Sequence, residues 1–170
     1  MAEEEEKITV RVWVPHDKDV WQLLPVESHD KEVSSDHADE VIVITESGEK
    51  KSVPLHSTHV LDPTHLLNLD DLCGMSNLHE APLLDMLKRR SVNDQIYTNT
   101  GSVLISINPY KRIEGLYESP LRYYLHSDHV EAIAALPPHV YKIANGAYIS
   151  LADGEGKNQS VIVSGESGAG

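Results

Sequence analysis

The closing segment constrains this chain most: Ser160-Val161-Ile162-Val163-Ser164-Gly165-Glu166-Ser167-Gly168-Ala169-Gly170. An apolar, β-branched run passes without a linker into Gly-x-Ser-Gly-x-Gly, the grammar of a buried strand feeding a phosphate-binding loop. Gly165 and Gly170 occupy the first and sixth positions of G-x-x-x-x-G-K-S/T. A loop that turns its backbone N–H groups inward must visit positive φ, which glycine does without steric penalty. The helix that follows such a loop would add its free N–H groups and dipole. The Lys and Ser/Thr of the pattern would fall just past Gly170.

Charge removes one broad class. Lys and Arg number 14 against 27 Asp and Glu, a net of −13. Residues 1–60 carry 6 basic and 14 acidic groups and residues 61–170 carry 8 and 13. No stretch has the basic stripe that nucleic-acid binding requires. The single cysteine, Cys73, fits a reducing compartment. No apolar run approaches a membrane span, and the acidic start Met-Ala-Glu-Glu-Glu-Glu is unlike a basic signal peptide. Together these predict a cytoplasmic protein.

Taken in order, residues 1–7 read as an acidic tail. Ile8, Val10, Val12 and Val14 alternate with Thr9, Arg11 and Trp13, predicting a strand closed by Pro15. A second run covers Val20 to Val26, and Val41 to Thr45 is the strongest strand signal of this half. The turn Glu46-Ser47-Gly48-Glu49 then leads into a hairpin partner, Lys50 to Leu55. Short strands with tight turns over residues 8–62 predict a small antiparallel barrel. His56, His59 and His65, and His126, Asp128 and His129, lack zinc-site spacing, and solvated or hydrogen-bonded histidines account for them better.

A helix follows the Gly74 turn, with Pro82 in its first turn and Leu83, Leu84, Met86 and Leu87 along one side. Lys88, Arg89 and Arg90 near its end suit the helix dipole. Val103 to Ile107 reads as a buried strand stopped by Asn108-Pro109, and Leu121 to Leu136 as a helix. Val140, Ile143, Ala144, Ala147, Tyr148 and Leu151 lie on one face of a third helix. Helices alternating with buried strands from residue 80 onward predict α/β architecture for this half.

At this point the order of the motifs resembles the start of a myosin motor domain. Val12-Trp13-Val14-Pro15 is similar to the opening of the Src-homology-3-like barrel before many such heads. Leu78-His79-Glu80-Ala81-Pro82-Leu83-Leu84 resembles the family's L-H-E-P-A-V-L, with Ala and Pro exchanged. Gln95-Ile96-Tyr97-Thr98-Asn99-Thr100-Gly101 is similar to its I-Y-T-Y-x-G segment, and Ile107-Asn108-Pro109-Tyr110-Lys111-Arg112 to its N-P-Y/F-K segment. Pro137-Pro138-His139-Val140-Tyr141, Ala147-Tyr148 and Asn158-Gln159-Ser160 lead in the family's order to Gly165-Glu166-Ser167-Gly168-Ala169-Gly170. One departure is the tyrosine after the adenine segment, which the family places eight residues past the Asn; Tyr117 is nine past Asn108.

The resemblance implies an α+β/α/β chain: a Src-homology-3-like barrel at 8–62, then the first part of a P-loop NTPase mixed sheet at 63–170. It implies an adenine-side set of Asn108, Pro109, Tyr110, Lys111 and Tyr117, with Arg112 adding charge. The phosphate side would be Gly165, Glu166, Ser167, Gly168, Ala169 and Gly170. Glu166 must then aim away from phosphate, since two anions repel. The implied ligands are ATP or ADP with Mg, the implied partner is the actin filament, and the implied location is the cytoskeleton. The chain lacks the motif's Lys and Thr, both switch segments and the actin-binding cleft, so it is expected neither to hydrolyse ATP nor to hold it tightly. The alternatives are a stand-alone barrel acting as an interaction module, or a non-functional truncated product.

Overall fold

A computed structural model describes residues 10–27, 39–118, 123, 135–152 and 158–166. The acidic tail, most of the predicted helix over 121–136, His126, Asp128, His129 and Ser167 to Gly170 lie outside the described residues. The chain divides into two compact units. The first comprises the residues up to Leu66 together with His79–Asp85, and the second comprises Leu67–Leu78 and Met86–Gly170.

The first unit is built from five strands: β1 Arg11–His16, β2 Val20–Pro25, β3 Glu40–Ile44, β4 Lys50–Pro54 and β5 His59–Val60. They form an antiparallel sheet in the order β2-β1-β5 and an antiparallel β3-β4 pair. A bridge between Val26 and Val43 joins the two. Strand β1 runs through Pro15 rather than stopping at it, and pairs Pro15 with Trp21. Gly48 at φ 83 supplies the left-handed turn between β3 and β4. The β1–β2 turn places Val20 at φ 66. That is a strained setting for a β-branched residue. It is braced by His16 Nδ1 accepting the Asp19 N–H at 3.1 Å.

Val12, Val14, Leu24, Val43 and Val53 form the core, with Val26 and Val41 packed against it. Each such side chain fully removed from water contributes roughly 1.5–3 kcal/mol. Alternation predicts Trp13 on the opposite face, yet it is as buried as its valine neighbours. Trp13 Nε1–H donates to His65 Nδ1 at 3.2 Å, and His65 is wholly buried. Both faces of β1 are therefore covered.

In the second unit, β6 Tyr97–Thr100 and β7 Val103–Ser106 make an antiparallel hairpin turned by Gly101 at φ 60. Residues 70 and 71 run alongside β6, with Asn99 N–H donating to Asp70 O at 2.8 Å and a parallel bridge from Asp71 to Asn99. Two helices are described in full: α1 Glu80–Val92, whose residues up to Asp85 belong to the first unit, and α2 Val140–Ala152. Helix α1 buries Pro82, Met86 and Arg90, spaced four apart. Its Leu84 is partly exposed.

The structure corrects two strand expectations. Val103 to Ile107 is not a fully buried strand: Val103 is exposed and the hairpin is antiparallel. Val161-Ile162-Val163 forms no strand, and its side chains are 59, 89 and 72% exposed. A strand cannot satisfy its own N–H and C=O groups; it needs a neighbour. None of the described strands pairs with this run.

Candidate functional site

The residues expected on the adenine side begin where the β6–β7 ladder ends, with Ile107 N–H donating to Ile96 O at 3.0 Å. Asn108 Oδ1 then accepts the Tyr110 N–H at 2.8 Å, the side chain imitating a backbone turn. Tyr110 is held at φ 49, rare for a bulky residue, and its side chain is 92% exposed. Strained residues of this kind cluster at ligand sites. Asn108 thus shapes the loop with its own side chain and projects Tyr110 outward.

The two cations of the loop already face carboxylates. Lys111 Nζ lies 2.6 Å from Asp94 Oδ1, and Arg112 lies 3.3 Å from Glu118 Oε1. Both pairs are largely exposed, so neither contributes much to stability. Asp94 stands at φ 60 just past the end of α1, so the lysine ties the loop to that corner.

Tyr117 sits in an aromatic group with Tyr97, His139 and Tyr141. Its hydroxyl lies 3.2 Å from that of Tyr97, and the rings of Tyr97 and Tyr117 stand edge-on to His139. Burial, then the Tyr117 hydroxyl, pushes the Tyr97 phenol up, so Tyr97 stays a neutral hydroxyl across the ordinary range. Asn108, Pro109, Tyr110, Lys111 and Tyr117 therefore share one loop with defined anchors. Gly165 and Glu166 are exposed, and among the described residues no hydrogen bond or ion pair joins them to that loop.

Beneath the hairpin lies a residue the sequence reading misplaced. Arg90, assigned to helix-end charge, is 3% exposed and uses all five of its N–H donors. Nε donates to Thr98 Oγ1 at 2.9 Å. Nη1 donates to Asn68 Oδ1 and Leu69 O, at 3.0 and 2.9 Å. Nη2 donates to Asp70 Oδ1 and Tyr97 O, at 2.8 and 2.9 Å. One guanidinium thus joins α1, the 68–70 segment and β6. The available signal was its place four residues after Met86, on the buried stripe. Asp71 adds a second clasp, its carboxylate held below the usual range by the N–H groups of Cys73 and Gly101.

The first unit holds a second cluster that sequence spacing did not show. The ring centroid of His79 is 4.1 Å from that of His59 and 5.4 Å from that of His65, and Trp21 packs 5.5 Å from His59. Both ring nitrogens of His79 are buried without a hydrogen-bond partner. Burial first, then the neighbouring His59 and His65, lowers its pKa to about 4. No group of three or more His, Cys, Asp and Glu among the described residues could hold a metal ion.

The myosin head (motor domain) family profile matches residues 69–170. The chain is 37% identical over 164 residues to the high molecular weight form of myosin-1 of Acanthamoeba castellanii, covering 94% of this chain and 10% of that protein. It is 36% identical over 168 residues to myosin-7 of Arabidopsis thaliana, covering 96% and 9%. It is 47% identical over 103 residues to the myosin IC heavy chain of Dictyostelium discoideum, covering 60% and 8%. It thus spans about a tenth of the length of these curated relatives. With a profile match over more than half its residues, the chain belongs to the myosin head (motor domain) family.

Proposed function

We propose that this chain contributes the base-side loop and the opening of the phosphate-binding loop to an ATP site in an actin-based motor. The observation that carries this reading is the 108–117 loop. Its Asn108 turn holds Tyr110 in a left-handed conformation and leaves the ring open to a ligand. Tyr110 and Tyr117 would edge the adenine, and Pro109 would stiffen the turn. Lys111 and Arg112, paired with Asp94 and Glu118, would serve as positioning groups more than as free positive charge. Gly165 to Gly170 would wrap phosphate with backbone N–H groups, Mg²⁺ arriving with the nucleotide. No described residue is assigned to that ion. The strands of the first unit would close as the Src-homology-3-like barrel. Membership of the family supports partnership with actin filaments and a cytoskeletal location for the whole motor.

Titration of the isotope-labelled chain with Mg·ATP, followed by NMR, tests the reading. The expected result is a set of shift changes confined to 108–117 and 165–170, with adenosine alone moving only the first group. The absence of any change at 108–117 with millimolar ligand would overturn it. Asn108→Ala should unmake the turn and abolish the response of Tyr110.

A further inference from the structure

We propose that His139 is a positioning residue for the 108–117 loop, capping α2 with one ring nitrogen and holding the loop's far end with the other. The proposal rests on the reading of that loop as a nucleotide-binding one. His139 directly precedes Val140, the first residue of α2, and is 3% exposed. Its Nδ1 lies 3.1 Å from the Tyr141 backbone N. A backbone N–H only donates, so Nδ1 must be the acceptor and bear no proton. In the neutral ring the proton is then on Nε2, which donates to Leu116 O at 3.0 Å. Burial lowers the pKa of this histidine and so favours that neutral form.

Leu116 O belongs to the peptide plane that carries Tyr117. Fixing that carbonyl sets the direction in which the Tyr117 side chain leaves the backbone. The ring of Tyr117 then meets the edge of His139 at 5.8 Å and that of Tyr141 at 6.2 Å, while its hydroxyl reaches Tyr97. Tyr117 is still 45% exposed, a ring braced along one side and open on the other. At the loop's near end, Asn108 and the Lys111–Asp94 pair play the corresponding part. His139 touches no ligand in this arrangement and acts through Leu116 and Tyr117.

The variants His139→Asn and His139→Ala in the full chain separate the two jobs. Asn is a good N-cap and keeps the bond to Tyr141, but its short side chain does not reach Leu116. The expected result for H139N is an α2 of normal helicity with a protected Tyr141 amide, a displaced Leu116 carbonyl ¹³C signal and altered Tyr117 ring signals. Its apparent Kd for Mg·ATP should rise roughly five- to tenfold, the effect of one ordinary hydrogen bond. H139A should lose the Tyr141 protection as well. Should both variants unfold α2, Tyr97→Phe removes the hydroxyl that meets Tyr117 and should shift the same Tyr117 signals.

Unchanged Leu116 and Tyr117 signals in H139N would overturn the positioning role. So would unchanged ATP affinity in H139N when the wild type responds at 108–117. A wild type with no ATP response at 108–117 overturns the nucleotide reading instead, and the role of His139 in shaping the loop is then decided by the Leu116 signal alone.

Discussion

The two segments that carry the nucleotide reading are held in opposite ways. The 108–117 loop is anchored at its start by an Asn108 turn, along its length by Lys111 on Asp94, and near its end by Tyr97 and His139. The run Val161-Ile162-Val163 has no strand partner among the described residues and lies exposed. Both are clear motifs in sequence. The difference is where the partners come from: a turn can be satisfied by its own side chains and a few neighbours, whereas a central strand requires other strands on either side. Motif strength and local order are therefore separate properties.

The largest test of that difference acts on what supports the held loop. Arg90→Ala removes five donors from a buried setting and leaves Tyr97 O and the Thr98 hydroxyl without them. Each buried acceptor left without its donor costs about 1–3 kcal/mol. Urea unfolding should show that loss, and amide exchange across Tyr97–Ser106 should accelerate. Asp70→Asn should cost far less, since that carboxylate is 57% exposed. Equal effects from the two would show that Arg90 is an ordinary surface pair and that the hairpin holds itself.

Much of the fold could be read from residues, for reasons that can be named. Gly48 marked its turn because positive φ belongs to few residue types, and it joins two paired strands. The helix at Val140–Ala152 emerged from period 3.6, although Val140, Tyr148 and Leu151 of its apolar face are exposed. The candidate site was legible as a list, Asn108 to Tyr117, but its wiring was not. Tyr97, Arg90 and His139 reach it through contacts between residues far apart in sequence, which periodicity does not encode. The burial of Trp13 was hidden for a similar reason: its cover is His65, 52 residues away.

Acid should sharpen the comparison next. His79 and His139 both have lowered pKa values, His79 to about 4 from 6.5. The unfolded chain then binds protons more readily than the folded one, so stability rises with pH across that interval. The contribution of His79 is complete above pH 6.5 and is lost progressively as pH falls toward about 4. Trp13 and Trp21, the two tryptophans of the chain, both lie in the first unit and report there by fluorescence. His79→Phe should flatten the Trp profile between pH 6.5 and 4. In the second unit, signals of Leu116 and Tyr117 should move as His139 protonates, while 158–163, which contains no ionisable side chain, stays unchanged. A histidine-independent profile would remove the distinction.

A smaller effect is expected at the loop's own ion pair. Lys111→Ala breaks an exposed contact with Asp94 and should change stability by at most about 1 kcal/mol. Its signature is local: faster exchange at residues 108–112, with Tyr97–Thr100 unaffected. Because the pair is exposed, raising the salt concentration should reproduce part of the change in the wild type. A global loss of several kcal/mol would mean that Lys111 supports more than the loop.

The smallest expected change in stability comes from the unheld segment, and it is informative because it is small. Ile162 is 89% exposed, so replacing it with Lys removes almost no buried apolar surface. Exposed substitutions of this type fall within about 0.5 kcal/mol. Val43→Ala is the matched contrast, since Val43 is wholly buried and anchors the first core. That truncation should cost roughly 1–3 kcal/mol for the lost burial and the cavity left behind. What Ile162→Lys should change is surface behaviour: less binding of a hydrophobic dye and less self-association, because three adjacent apolar side chains form a patch open to water. If Ile162→Lys instead destabilises the chain as much as Val43→Ala does, residues 161–163 are buried in solution. The contrast between a self-supported loop and an unpaired strand would then be wrong.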